Sequence, residues 1–509
     1  MMSIEMNPQL MSLIILTVVL PLLTAFLLPV FGRVSSLVAR YTGPLVLLFC
    51  LYITIVIWTE MTKPFMFAIG GFAPPLGIVF YVDQLSLLFT ALVLLLTLLL
   101  WPYQKKSSIR EYSLTLLLAG SACGLALSGD LFNIYVFYEL ASVASFGLVA
   151  SAASGAAYAA AIRYVIISGF GSVLALTGIA LVYTQTGTLN LAQLAQLAPE
   201  QLNNSIGIAA FVLILLGIGV KAELFPVNTW VPEVYATAKK RVSALLAGLI
   251  SKLAVLVLIR LLVLVFHTEQ ALQIMLLLGV LGVATAELAA WRSKDMSRML
   301  AYSSIGQLGI VFIAFSIPGE AGLYAGIAVS LHHLLVKPAL FLLAERWGSS
   351  LQGLRGAAKA SPVAAILFVL FALSLIGVPP SPGFWAKLLV VMGLISQDMA
   401  MYTVALTVIL VTTVIEANYL FKVVITLYAK SEAGAEAENK PDVNRIHAKL
   451  DLLTSSLFGA VLIAAIFLIV PLGQYVKQTA SQASDVKTYI STVFPRVRIP
   501  DSVNTERSR

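Results

Sequence analysis

Runs of about 20 mostly apolar residues recur along the whole chain, and each is long enough to cross a bilayer core of roughly 30 Å as an α-helix. Of the 509 residues, 60% are hydrophobic and only 11% are charged, a balance that no water-soluble core requires. In hydrocarbon every backbone polar group needs an internal partner, which favours helices. The sequence therefore predicts an all-α polytopic membrane protein with about fourteen spans.

The first apolar run and the two cysteines narrow the class further. The run near 10–30 lacks a basic leader and a small-residue cleavage site, which predicts a retained span rather than a signal peptide. Cys50 and Cys123 both lie within apolar spans, so we expect neither a disulfide framework nor a metal site.

The net charge is +8, and the distribution of the basic residues matches the predicted membrane topology rather than a nucleic-acid-binding surface. Basic residues are concentrated in alternate loops, while the opposite loops carry mostly acidic residues, with Lys63 as the exception. The basic loops hold Arg33 and Arg40; Lys105, Lys106 and Arg110; Lys239, Lys240 and Arg241; Arg292, Lys294 and Arg298; Arg346, Arg355 and Lys359; and Lys430, Lys440, Arg445 and Lys449. The opposite loops hold Asp130, Glu200, Glu269, Glu320 and Asp398. The pattern predicts an even number of spans in a cell membrane, with both termini on the outer side.

The predicted spans fall into groups. Three lie near 10–32, 41–59 and 78–101, five near 112–128, 131–152, 157–183, 205–235 and 242–266, five near 271–291, 300–316, 321–345, 361–398 and 400–427, and the last near 452–473. In each set of five the fourth span is interrupted by prolines, Pro226 and Pro232 in the first set and Pro379, Pro380 and Pro382 in the second. Because five is odd, equivalent spans in successive sets run in opposite directions, which predicts an inverted repeat with a broken helix in each half.

This pattern divides the chain into five regions. We expect an N-terminal three-helix region at 1–110, a first five-helix repeat at 111–267, a second, inverted repeat at 268–429, a charged cytoplasmic connector at 430–451, and the last span with a short tail at 452–509.

Ionisable residues inside spans are the functional candidates, because charge at membrane depth is costly. In the first repeat these are Glu139, Lys221 beside the helix break, and Lys252 near the middle of the following span. A nearby carboxylate raises the proton affinity of a lysine, so movement of Glu139 relative to Lys221 would switch the proton affinity of Lys221. A switch of this kind suits a proton pump.

The second repeat offers a matching set. His333 and Lys337 lie four residues apart on one helix face with His332 beside them, Lys387 borders the second break, and Glu416 lies in the next span. Histidine changes charge near neutral pH, which suits a relay between lysines.

Structural alternatives remain open for these groups. Glu139 and Lys221 would also serve as a static ion pair, and a histidine hydrogen-bonded between helices would be purely structural. Near span ends, Arg163 and Lys422 are typical of snorkelling anchors, and Asp83 and Asp130 of capping groups. Arg260 has no obvious partner in the sequence.

At these motifs the chain resembles the antiporter-like subunits shared by respiratory complex I, energy-converting hydrogenases and the Mrp multisubunit cation/proton antiporters. The matching segments are GDLFNIYVFYEL, TGTLNLAQLA, GVKAELFPVNTWVPEVYATA, SALLAGLISKLAVLVLIR, KDMSRMLAYSSIGQLG, HHLLVKPALFL and GVPPSPGFWAK. The resemblance covers nearly the whole chain and is strongest to the D subunit of the Mrp antiporters. It implies fourteen helices with two inverted five-helix repeats.

The resemblance also implies roles for individual residues. Glu139 would be the acidic partner, Lys221 the switching lysine, Lys252 the connecting lysine, His333 the central relay and Lys387 the exit lysine. Two features depart from parts of the family. Asn228 stands where many complex I members have histidine, and the tail from about Gln474 is too short for a long lateral helix.

We therefore expect an ion-transporting subunit, not an enzyme, that moves protons within a multisubunit Na⁺/proton antiporter and is joined to other membrane subunits. The alternatives are a proton-pumping subunit of complex I or of a membrane-bound hydrogenase, and an autonomous secondary transporter. With neither a P-loop nor a dinucleotide fingerprint nor a cysteine cluster in the sequence, no cofactor is expected.

Overall fold

The computed structural model describes residues 8–103, 107–348, 350–430 and 445–495, and most of them are helical. The helices of the N-terminal part are α1 (Pro8–Ser12), α2 (Leu16–Val34), α3 (Ser36–Glu60), α4 (Gln84–Leu99), α5 (Ile109–Leu127), α6 (Leu131–Ala150), α7 (Gly155–Thr186), α8 (Leu191–Gln201), α9 (Ser205–Gly219) and α10 (Val231–Thr237). Short 3-10 turns cover Leu13–Ile15 and Ile69–Gly71.

A π-helical turn interrupts the next long helix. The segment runs from α11 (Lys240–Leu245) through the π turn Leu246–Ile250 into α12 (Ser251–Leu264). The remaining helices are α13 (Glu269–Arg292), α14 (Met296–Phe315), α15 (Gly319–Trp347), α16 (Ala357–Ala360), α17 (Pro362–Ile376), α18 (Pro382–Ile395), α19 (Ala400–Tyr428), α20 (Arg445–Phe467), α21 (Ile469–Ser484) and α22 (Val486–Val493), with a 3-10 turn at Gln352–Leu354.

A β-hairpin corrects the expectation of purely helical structure. Strands β1 (Phe65–Ala68) and β2 (Val79–Val82) pair antiparallel, with Phe65 opposite Val82 and Ala68 opposite Val79. The third predicted span, near 78–101, therefore begins as a strand and becomes helix only at Gln84. β-Branched and aromatic residues favour the strand, and Asp83 then caps α4 through a reciprocal capping box with Ser86.

Many of the helices can span a membrane. In the described part of the chain, ten helices are long and apolar enough to do so, and four shorter apolar helices accompany them. All residues in the most apolar stretch of Lys240–Leu264 are buried, whereas only 33% of those in the corresponding stretch of Ala400–Tyr428 are buried. The first therefore lies in the centre of the protein, and the second lies at the periphery. Apolar side chains exposed on α7 and α19 are suited to contact with lipid or with other membrane subunits.

Two aspartates begin helices in the same way in the two halves of the protein. Asp130 accepts hydrogen bonds from Phe132 N and Asn133 N at the start of α6, as predicted for a capping group, and Asp295 accepts one from Arg298 N at the start of α14. Each aspartate also forms a backbone bridge to the segment after the following helix, Asp130 to Asn190 and Asp295 to Ser350.

The end of the described chain folds back over the helices. The last predicted span ends earlier than expected, because α20 stops at Phe467. The amphipathic α21 then packs on α15 and α4, and α22 packs on α8 and β1. The predicted connector lies mostly outside the described residues, which omit 431–444, and Lys105 and Lys106 lie outside them as well.

Candidate functional site

Several ionisable side chains are buried between the central helices in the described part of the chain, and we call seven of them the central row. Its members are Lys221, Glu223, Lys252, His333, Lys337, Glu416 and Lys387. All are at most 9% exposed, whereas Glu139 is half-buried beside Lys221. Each carboxylate of the central row lies near lysines, because Glu223 is in electrostatic range of Lys252 and Lys337, and Glu416 is in range of Lys337 and beside Lys387.

At the first helix break, between α9 and α10, two side chains donate hydrogen bonds to freed carbonyls, one from α6 and one from within the break. Tyr138 donates its hydroxyl to Gly217 O at 2.9 Å and to Ile218 O at 3.2 Å, and Trp230 Nε1 donates to Val220 O at 3.0 Å. Trp230 is in turn stacked on Tyr164 with ring centroids 3.8 Å apart. These contacts supply the partners that carbonyls freed from a helix need at membrane depth.

Lys221 at this break is held by an aromatic ring and a hydroxyl. Its Nζ lies 3.3 Å from the centroid of the Tyr138 ring and donates to Ser168 Oγ at 3.2 Å. Glu139 Oε1 instead accepts from Ser172 Oγ at 2.6 Å, one turn along α7 from Ser168. Among the described residues no ion pair joins Glu139 to Lys221, although the two are close enough to attract each other. Two serines therefore lie between the predicted partners.

Glu223 is a buried carboxylate that the sequence analysis missed. Its side chain is 1% exposed, and its backbone is left-handed with φ 58°. Tyr235 donates to its Oε1 at 2.7 Å, while the buried Oε2 has no hydrogen-bond partner among the residues described. Asn228 Nδ2 donates to the Glu223 carbonyl at 3.3 Å and so helps to stabilise the turn between α9 and α10. Left-handed backbone at a non-glycine residue costs about 1–3 kcal/mol and concentrates at functional sites.

Lys252 is held at the π turn. Its Nζ donates to Ala247 O, and to Ser251 Oγ at 3.0 Å. Inside the same turn, a Cβ added to Gly248 would lie 2.6 Å from Pro338 Cγ, so α15 approaches closely here. The predicted position of Lys252 near the middle of its span is thus a fully buried one, at 1% exposure, and not a snorkelling one.

On α15 the two histidines face different neighbours. His333 Nε2 lies 3.3 Å from Ser304 Oγ, and Lys337 donates to Ser303 Oγ at 2.6 Å, so both point at α14 as their spacing predicts. His332 Nε2 lies 2.9 Å from Ser374 Oγ on α17, away from that face. Among the described residues, His333 Nδ1 is buried without a hydrogen-bond partner.

Lys387 at the second break forms a buried ion pair. Its Nζ lies 2.8 Å from Glu416 Oε2 and donates to Ile376 O at 3.2 Å. Gln307 Nε2 donates to the other oxygen of Glu416 at 2.7 Å. Sequence reasoning missed a further carboxylate nearby, Glu287 on α13, whose Oε2 accepts from Tyr419 OH at 2.9 Å.

Arg260, for which the sequence offered no partner, pairs with Asp83 across 2.6 Å. This pair lies apart from the central row, beside the rings of Tyr81 and Tyr489, whose centroids are 3.8 Å apart with a tilt of 31°. As for metals, the described residues contain no group of three or more His, Cys, Asp or Glu side chains that could hold an ion.

The lysine, glutamate and histidine side chains of the central row are groups that can exchange protons, through water where they do not touch.

Comparison with known proteins identifies the family of the chain. Residues 128–415 match the family model described as NADH:quinone oxidoreductase/Mrp antiporter, TM. The chain belongs to this family, and it is an antiporter-like membrane subunit of the Mrp and complex I type.

Two curated relatives come from different branches of the family. The chain is 32% identical to the N subunit of the NADH-quinone oxidoreductase of Desulforudis audaxviator over 82% of this chain and 86% of the relative. It is 29% identical to the D subunit of the Na(+)/H(+) antiporter of Alkalihalophilus pseudofirmus over 95% of this chain and 99% of the relative.

Two solved structures have the same fold. A chain of the membrane-bound sulfane sulfur reductase, an archaeal respiratory membrane complex, superposes with a TM-score of 0.86 at 27% identity, covering 95% of this chain and 100% of that one. A chain of the Mrp complex from Dietzia sp. DQ12-45-1b gives a TM-score of 0.85 at 26% identity, covering 96% and 100%. Both neighbours are parts of multisubunit membrane complexes.

Proposed function

We propose that the chain is the proton-conducting subunit of a multisubunit monovalent cation/proton antiporter that exchanges Na⁺ for protons. The observation that carries the proposal is the central row, a series of buried ionisable groups that extends from the first helix break to the second. Ionisable groups are costly at membrane depth and mark ion pathways there. The resemblance to the D subunit of a Na(+)/H(+) antiporter over 95% of the chain supports Na⁺ as the exchanged cation.

In this proposal protons move between Glu139, Lys221, Lys252, His333 and Lys387. Ser172 Oγ contacts Glu139 and Ser168 Oγ contacts Lys221, and in this scheme water completes the connection between the two hydroxyl groups. His333 lies in electrostatic range of Lys252 and Lys337 and is the relay between the halves. His332, which faces Ser374, is a structural group in this scheme, while Lys337 and Glu416 balance the charge of their neighbours.

The proposal includes fourteen spans with two inverted repeats. The count follows when α9 with α10, and α17 with α18, are each taken as one broken span, and α4 and α5 are added to the ten long helices. The matching roles of Asp130 and Asp295, each a cap with a bridge beyond the following helix, support a repeated unit. We propose both termini on the outer side of the cell membrane, from the loop charges.

A redox-driven complex is the second candidate. The relatives include a subunit of an NADH-quinone oxidoreductase and a structural neighbour in an archaeal respiratory complex. In that case the same row would move protons, and a partner subunit would supply redox energy in place of a sodium gradient. Either way the energy must come from differences in interaction between two states of the protein.

The test uses inverted membrane vesicles that contain the complete complex. Addition of Na⁺ should release protons in the wild type, and the assembled Lys221→Ala variant should lose this response. Lys221→Arg should also be inactive, because arginine keeps its proton at any accessible pH. The control is Lys63→Ala, which removes a lysine from the exposed loop after α3 and should leave the rate unchanged.

The outcomes separate the candidates. Transport that persists in assembled Lys221→Ala vesicles would remove this lysine from the path. A wild-type complex that ignores Na⁺, but pumps protons when an electron donor is added, would favour the redox-driven candidate.

A further inference from the structure

Glu223 occupies a gap in the proposed path. Lys221 belongs to the first break, and the next lysine, Lys252, is held on another helix at the π turn. Glu223 follows Lys221, the first lysine, by two residues along the chain. Its carboxylate lies within electrostatic range of Lys252, the second lysine.

The side chain of Glu223 is buried in the interior of the protein. Glu223 lies in the turn between α9 and α10 with a left-handed backbone, φ 58°, and its side chain is 1% exposed. A buried carboxylate with nothing to stabilise it is strongly disfavoured, yet only one of its two oxygens is hydrogen-bonded within the described chain. The unpartnered Oε2 is the atom that can accept or release a proton while Tyr235 holds Oε1.

We propose that Glu223 is a further proton-carrying residue, which passes each proton from Lys221 to Lys252. This inference rests on the proposed function, because it adds a step to the same path.

Two balanced transfers make up the step. An N–H bond of the Lys221 ammonium breaks and an O–H bond forms at Glu223 Oε2, directly or through water, leaving a neutral amine and a carboxylic acid. The O–H bond then breaks and an N–H bond forms on the neutral amine of Lys252, which restores the carboxylate. The proton count is conserved, and neither oxidant nor reductant is needed.

The groups that face Glu223 come from several helices. Lys252 on α12 and Lys337 on α15 carry charge, while Tyr235 on α10 and Ser304 on α14 offer hydroxyl groups. Tyr164 on α7 also lies in electrostatic range. The two lysines favour the carboxylate, so loss of a proton from either lysine favours uptake of one by Glu223. This coupling would synchronise Glu223 with its neighbours.

Glu223→Gln is the decisive variant, because glutamine has nearly the same shape and cannot carry the proton. In assembled vesicles we expect Na⁺-driven proton release to fall to the level of Lys221→Ala. Glu223→Asp keeps the carboxyl group and should retain part of the rate with a displaced pH profile. A residue that served only to neutralise Lys252 and Lys337 would not produce a separate titration. Lys63→Ala is again the matched control.

A spectroscopic readout distinguishes a carrier from a structural charge. Infrared difference spectra of the purified complex between low and high pH should contain a carboxylic acid C=O band that Glu223→Gln removes and Glu223→Asp moves. Tyr235→Phe, which keeps the charge and removes only the hydroxyl bond to Oε1, should displace the titration of that band. If Glu223→Gln fails to assemble, the displacement in Tyr235→Phe decides, and an unchanged titration overturns the inference.

The inference and the proposed function can fail separately. Wild-type transport in Glu223→Gln together with lost transport in Lys221→Ala would overturn the role of Glu223 and leave the path intact. Wild-type transport in both variants would overturn the path itself.

Discussion

Lys387 Nζ lies 2.8 Å from Glu416 Oε2, whereas Lys221, its counterpart at the other helix break, contacts no carboxylate among the residues described. Lys221 has a hydroxyl and an aromatic ring as neighbours, and these stabilise an ammonium less than a carboxylate does. The two breaks therefore differ in how strongly the neighbours of the lysine stabilise its charged form. In the proposed path the second lysine is therefore paired with a carboxylate, whereas the first is not.

The first prediction concerns this ion pair. Glu416→Gln keeps the size of the side chain and an oxygen for Gln307, but leaves Lys387 without its counter-charge. We expect a loss of about 3 kcal/mol in stability, because removing one partner of a buried pair leaves the other uncompensated. Thermal unfolding of the purified complex measures it. The double variant Glu416→Gln, Lys387→Met should recover most of the loss, and equal melting temperatures for the single variant and the wild type would contradict the prediction.

A second prediction separates two roles of Tyr138. Tyr138→Phe removes the hydroxyl that serves the carbonyls of Gly217 and Ile218 and should cost about 1–3 kcal/mol, since those carbonyls lose a donor. The ring over Lys221 remains, so transport per assembled complex should persist. Tyr138→Leu removes the ring as well and should lower transport. Vesicle assays normalised to the amount of complex compare the two, and equal rates would exclude a role for the ring.

The third prediction concerns Asp83, which both caps α4 and pairs with Arg260. Asparagine is as good a cap as aspartate but carries no charge, so Asp83→Asn should lose only the buried pair, about 3 kcal/mol. Asp83→Ala should lose about 1 kcal/mol more because the cap is lost too. Thermal unfolding orders the variants, and an alanine variant as stable as the asparagine variant would show that the cap contributes little. Transport by the surviving complex should be unchanged.

The fourth prediction tests topology. Arg110 and Glu200 are exposed and are separated by α5, α6 and α7, three membrane crossings in the proposed topology. Single cysteines at these positions should therefore react with an impermeant thiol reagent from opposite sides, Arg110→Cys from the inside of the cell. Native Cys50 and Cys123 are fully buried and should stay silent. Labelling of both new cysteines from one side would refute the arrangement of α5 to α7.

The sequence predicted the buried lysines because hydrophobic runs make a charge conspicuous. Lys221, Lys252 and Lys387 interrupt such runs, and all three are buried. The helix breaks were visible through their prolines. These properties are local, so a linear reading can detect them.

The missed groups depend on geometry that a linear reading does not contain. Glu223 lies two residues after Lys221 in a turn, where the sequence does not indicate which side chains are buried, and only the folded structure shows that this one is 1% exposed. Glu287 is close in sequence to the basic loop of Arg292 and Lys294, which hides its contact with Tyr419 on a distant helix. The hairpin was missed because an apolar strand and the start of an apolar span look alike.

The π turn at Leu246–Ile250 makes the orientation of Lys252 depend on the number of residues that precede it. Such a turn holds one residue more than an α-helical turn, so everything after it is rotated by about 100° relative to an unbroken helix. Deleting a single small residue there, such as Ala247, would restore a regular helix without changing any charge. Lys252 would then point to a different neighbour, and this rotation of the helix alone would remove Lys252 from the central row.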